Sequence, residues 1–232
     1  TLGTQQPAQG PAAPQGPSAI ETAPLPPGAV EPDGSFALPF LEQEAQYLIN
    51  TLASNLEPAQ RARVANIPLN FVNSLTEVNA AAGCTRGGRA FMVATAAILV
   101  LHAATAEARA VDEVAGTDVL REYTERTVSL INQEQLVRGL PDGVVPQAMW
   151  FNPQKLARQR YLYDVQIAFI LGHELAHHYR GHTGCATGAP VNPQQGDLED
   201  LERAVSNLAP LFNQPLEVEA DTWGIVDVLD TG

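Results

Sequence analysis

Apolar positions recur at helical spacing over most of the chain beyond residue 37. Leu41, Ala45, Leu48 and Leu52 fall three or four residues apart, which aligns them on one face of a helix over 38–56. The same periodicity predicts helices over 96–110, 116–138, 154–180, 197–208 and 215–230. Strands are few. Alternating apolar residues from Ile67 to Val78 and the run Ala90 to Thr95 are expected to pair as a small sheet. The pattern is that of an α+β domain, mainly helical, with the sheet beside the 154–180 helix.

The run from Phe91 to Ala106 is strongly apolar. At about sixteen residues, with His102 inside it, it falls short of the roughly twenty needed to cross a bilayer. A buried strand leading into a buried helix is expected, and no transmembrane span. Residues 1–34 differ in kind, being rich in Pro, Gly, Ala and Gln without an apolar period, and read as a flexible leader acting as a tether rather than a propeptide remnant. The remaining 35–232 suffices for one substantial core, given 45% hydrophobic residues in the chain.

The 154–180 helix carries chemistry. Gly172-His173-Glu174-Leu175-Ala176-His177 is an HExxH motif, preceded by the apolar Val165, Ile167, Ala168, Phe169, Ile170 and Leu171, with Gly181 placed for a C-terminal cap. Side chains four apart lie one above the other on a helix, so His173 and His177 can reach one metal ion while Glu174 sits beside it. Zinc in such a site keeps a position for water, whose pKa falls from about 15.7 to about 7. Glu174 would accept that water's proton as it attacks a carbonyl. Four of the five histidines (His173, His177, His178 and His182) fall within ten residues.

The third ligand separates the subclasses. The pattern HExxHxxGxxH needs Gly at 180 and His at 183, where this chain has Arg180 and Thr183. His178 and His182 leave the face shared by His173 and His177 and are expected to face solvent or to support the ligands from behind. Downstream, Glu217-Val218-Glu219-Ala220-Asp221 follows Pro215 at an expected helix start, placing Glu217 and Asp221 one turn apart. One of them can bind the metal while the other accepts a hydrogen bond from the far nitrogen of a histidine ligand. Glu219 points elsewhere, solvated or salt-bridged.

His173, Glu174 and His177 followed by Glu217 and Asp221 resemble the HExxH and ExxxD motifs of the gluzincin zinc peptidases of the CAAX prenyl protease and HtpX type. The resemblance implies a zincin-like fold and one zinc per chain, held by His173, His177 and Glu217. It makes Asp221 the hydrogen-bond partner of a ligand and Glu174 the catalytic residue. Val78 to Gly83 and Arg89 to Thr95 are similar to the family's NAFA segment and the edge strand after it. That likeness implies that Ala90, Phe91, Met92, Val93, Ala94 and Thr95 line the cleft and pair with an extended protein or peptide substrate through main-chain hydrogen bonds. The resemblance spans 65–230 and is interrupted by an expected insertion at 111–160. The family's later basic or aromatic residue, which stabilises the oxyanion, has no clear counterpart; Tyr179, Arg180 and an arginine of the insertion are the candidates.

Charge narrows the partners. A net charge of −13, a pI near 4.7 and a single lysine, Lys155, oppose binding to nucleic acid or anionic membranes, which requires clustered cations. Asp197, Glu199, Asp200 and Glu202 are expected on a solvated helix face. Cys84 and Cys185 fit no zinc-finger spacing; they are either free thiols or one disulfide tying two walls of the cleft. A Pro-rich leader beginning at Thr1 is the expected mark of a secreted or cell-envelope protein, periplasmic or lipid-anchored through that leader, with the cytoplasm as the alternative. The expected function is zinc-dependent metalloendopeptidase; the alternative is a non-catalytic zinc-containing binding or scaffold protein of the cell envelope.

Overall fold

The computed structural model describes residues 24–85, 87–131, 133, 135–185 and 214–231. Residues 1–23 of the leader and the expected 197–208 helix with its acidic residues lie outside the described residues. Helices α1 (Leu38–Asn55), α2 (Pro58–Val64), α3 (Ala96–Ala115), α4 (Val119–Ile131), α5 (Pro153–Tyr179) and α6 (Gln214–Thr231) surround strands β1 (Leu69–Val72), β2 (Ala80–Cys84) and β3 (Ala90–Thr95). The domain is α+β and mainly helical.

The central element is α5, which packs on α1, α2, α3 and α6. Pro153 opens it at a position where its missing N–H costs nothing, and the Asn152 side chain accepts hydrogen bonds from the Gln154 and Lys155 N–H groups. Tyr163, Ile167, Leu171 and Leu175, four residues apart, bury one face against Leu41, Leu48 and Leu52 of α1 and Leu99 of α3. Each fully buried aliphatic side chain contributes about 1.5–3 kcal/mol, so this face fixes the rotation of the helix about its axis.

The sheet order is β1-β3-β2, with β1 parallel and β2 antiparallel to β3. All six residues of β3 are buried. Met92 and Ala94 point into the helical core, whereas Phe91 and Val93 pack with Val72 and Ala81 on the other face. The expected pairing of the 67–78 segment with Ala90–Thr95 is present as β1 against β3, over four residues. The expectation that Ala90–Thr95 forms the edge is corrected: β3 has a neighbour on each side, and among the described residues β2 is the edge strand facing α5.

Two boundaries also move. The expected insertion at 111–160 includes the end of α3 and the start of α5; the connection between those helices is 116–152 and carries α4 and a 3-10 turn at Gln147–Met149. Val119 and Val145 close a small core of their own on Ala108 and Val111 of α3. The leader expectation fails over 24–34, where Ala29 is buried and Leu25 and Val30 pack on the main core. Lys155, fully buried, holds this segment: its Nζ donates to the Gly34 carbonyl at 2.7 Å and pairs with Glu107 Oε1 at 2.5 Å. Gly34 has φ +88° and lies so close to Trp150 that a Cβ would stand 2.5 Å from the Trp150 Cα.

Candidate metal centre

Four-residue spacing on α5 and on α6 brings the sequence-identified residues together. His173 Nε2 and His177 Nε2 are 3.0 Å apart, and Glu217 Oε2 lies 3.2 Å from the first and 3.5 Å from the second. Atoms at tetrahedral corners about 2.1 Å from a common centre stand about 3.4 Å apart, so the spacing of these three is that of donors to a single metal ion. They are a group able to hold a metal ion. The imidazoles are mostly buried, and the Glu217 side chain is half exposed, which leaves the site open to solvent on the α6 side.

Both histidines are engaged at the nitrogen that faces away from this point. His173 Nδ1 donates to Asp221 Oδ1 at 2.8 Å. His177 Nδ1 lies 3.1 Å from His182 Nδ1. Burial, reinforced by the neighbouring His173 ring, holds the pKa of His177 below the usual imidazole value, with Glu217 opposing. A neutral imidazole is the form that ligates a metal.

Glu174 lies alongside, its carboxylate 3.9 Å from His173 Nε2. Desolvation raises its pKa to about 8, against a hydrogen bond from the Ala82 N–H that lowers it and with help from the Glu217 charge. The Ala82 contact joins the helix to the edge strand. Asn79 and Thr85, flanking β2, bond inward to Thr95 and Arg89, so alternation turns Ala80, Ala82 and Cys84 toward the free edge. Beyond β2, the Cys84 sulfur is bridged to Cys185, with Cα atoms 5.6 Å apart, tying the edge strand to the loop that follows α5.

Of the residues around the centre, His178 departs from the sequence reading, whereas His182, behind His177, and Glu219, in a salt bridge, stand as that reading allowed. His178 is buried rather than solvent-facing, its Nε2 donating to the Phe91 carbonyl at 2.9 Å while Nδ1 meets Thr183 Oγ1 at 3.2 Å, so it fastens α5 to β3. His182 is also largely buried and contacts Glu219 as well as His177. Glu219 is salt-bridged to Arg180, whose Nε stands 2.6 Å away. Two oxyanion candidates are occupied elsewhere: Tyr179, 1% exposed, donates its hydroxyl to Asp227, and Arg180 lies over the Trp223 ring. Arg158 and Arg160, from the expected insertion, bind Glu113 and Glu44 at least thirteen residues before His173, roughly 20 Å along the helix.

Compared with protein-family models, curated proteins and solved structures, the chain has no match. Among the described residues, no helix is long and apolar enough to cross a membrane.

Proposed function

We propose that this chain is a zinc-dependent metalloendopeptidase with a zincin-like catalytic domain. The observation that carries the reading is the convergence of His173 Nε2, His177 Nε2 and Glu217 Oε2 on one point, with the Glu174 carboxyl beside it. With the outer nitrogens of both rings turned to other partners, the inner nitrogens present lone pairs to each other and to a carboxylate. Three electron-pair donors at this separation repel until a cation, either a proton on one ring nitrogen or a metal ion, sits among them.

Zinc, when held there by His173, His177 and Glu217, would supply Lewis acidity that lowers the pKa of a nearby water toward about 7. Glu174 takes the proton of the attacking water and delivers it to the amine nitrogen as the peptide C–N bond breaks. Burial raises its pKa in the metal-free chain, and a cation beside it would draw that pKa down toward the range of a base active near neutrality. Asp221 keeps the His173 ring in the tautomer that leaves Nε2 free to ligate.

Strand pairing with substrate belongs, on this reading, to β2 and not to Ala90–Thr95. Ala80, Ala82 and Cys84 face the open edge next to Glu174, and an extended peptide adding there would meet the general base through main-chain contacts tolerant of many side chains. The substrate is therefore an extended or unfolded protein segment. The bridge between Cys84 and Cys185 supports an oxidising compartment, the cell envelope or the exterior.

The experiment is cleavage of an unfolded protein such as casein by the zinc-loaded chain and by Glu174→Gln. Loss of cleavage with the metal retained is expected. Undiminished cleavage by the variant would remove Glu174 from the mechanism.

A further inference from the structure

The loop after α5 returns a third histidine to the site. The chain turns at Gly181, φ +83°, and the His182 N–H bonds the His177 carbonyl at 2.8 Å. This folds the imidazole of His182 against that of His177, ring centroids 5.1 Å apart at 72°, with only 8% of the side chain exposed. Its Nδ1 meets His177 Nδ1 at 3.1 Å, and its Nε2 stands 3.3 Å from Glu219 Oε2. Glu219 is in turn held by Arg180, whose guanidinium carbon lies 5.1 Å from the centre of the Trp223 ring.

The direction of these hydrogen bonds follows from which atoms can donate. A carboxylate only accepts, so the neutral His182 ring carries its proton on Nε2, toward Glu219. Its Nδ1 is then a lone pair, and the contact with His177 requires the proton on His177 Nδ1. His177 Nε2 is thereby left unprotonated, facing His173 and Glu217.

We propose that His182, oriented by Glu219, is a positioning residue that fixes the tautomer and ring angle of His177, as Asp221 does for His173. The inference rests on the metal site of the proposed function and adds its second support. The carboxylates of α6 divide the work: Glu217 reaches the metal point, Asp221 one ring, and Glu219 the other ring through His182.

The test uses zinc and cobalt(II) alone, without substrate. Zinc affinity by competition with a chromophoric chelator, and the visible spectrum of the cobalt form, are measured for the wild type, His182→Phe and His182→Asn. Phenylalanine keeps the ring volume but not the acceptor, whereas the asparagine amide oxygen can take the place of Nδ1. Losing an outer partner of a metal-bound histidine costs about 10–100-fold in affinity. A loss in that range for His182→Phe, with an altered cobalt spectrum and substantial rescue by His182→Asn, is expected. Should His182→Phe not fold, Glu219→Gln on the more open side carries the same test, because the amide no longer dictates the direction of the relay. Variants that fold and match the wild type in affinity and spectrum overturn the inference while leaving the metal site intact. A wild type that binds neither metal overturns the proposed function itself.

Discussion

Gly224 on α6 meets the backbone of His173 on α5: a Cβ at Gly224 would stand 2.8 Å from the His173 nitrogen and 3.1 Å from its Cα. From the α5 side of the same contact, a Cβ at Gly172 would stand 3.2 Å from the Gly224 carbonyl oxygen. The two glycines let the helices touch backbone to backbone, and Glu217 and Asp221 lie seven and three residues before Gly224, on the face this contact aims at the histidines.

Gly224→Ala is therefore expected to push α6 away from α5. Overpacking of this kind costs about 1–3 kcal/mol. Because the displaced helix carries Glu217 and Asp221, zinc affinity should fall together with Tm; a variant with lowered Tm and unchanged zinc affinity would show that the crossing does not set the ligand position.

Glu174 gives the metal-free protein a characteristic pH dependence. Its folded pKa, about 8, lies above the ordinary 4.5, so the folded state binds the proton more tightly than the unfolded one. The stabilisation is complete below the unfolded pKa and is lost as pH rises through the folded one. In chelator, the Tm of the wild type should decline relative to Glu174→Gln across that window, and parallel curves would contradict the assignment.

The buried pair of Lys155 and Glu107 is expected to be costly to break. Lys155 is fully buried, and its Nζ also holds the Gly34 carbonyl. Removing one partner of such a pair costs about 3–5 kcal/mol. Lys155→Ala should lower the denaturation midpoint accordingly and expose the 24–34 segment to proteolysis, whereas Lys155→Ala with wild-type stability would dismiss the anchor.

The disulfide between Cys84 and Cys185 closes a loop with a sequence separation of 101. Loss of a native bridge typically costs about 2–5 kcal/mol. Cys185→Ser, measured by chemical denaturation beside the oxidised wild type, should show a loss in that range.

Local spacing is what made the centre legible in sequence. His173 and His177, and likewise Glu217 and Asp221, are one turn apart whatever the rest of the fold does, and the apolar flank of α5 marks its helix. The edge strand was harder to read because Ala80 to Cys84 is alanine and glycine with no β-branched residue, a composition that carries little strand signal. The uninterrupted apolar run of Ala90 to Thr95 did hold a clue to its central position, since strands covered on both faces lose alternation. His182 was out of reach of helical periodicity, because its approach to His177 depends on the turn at Gly181. The anchoring of 24–34 depends on Lys155, more than a hundred residues away.

The central claim is a zinc site built by His173, His177 and Glu217. The direct measurement is zinc content by elemental mass spectrometry after exhaustive dialysis, for the wild type and Glu217→Ala. Stoichiometric zinc in the wild type, lost or greatly weakened in the variant, is the expected result. No zinc in the wild type, or full retention without Glu217, would contradict it.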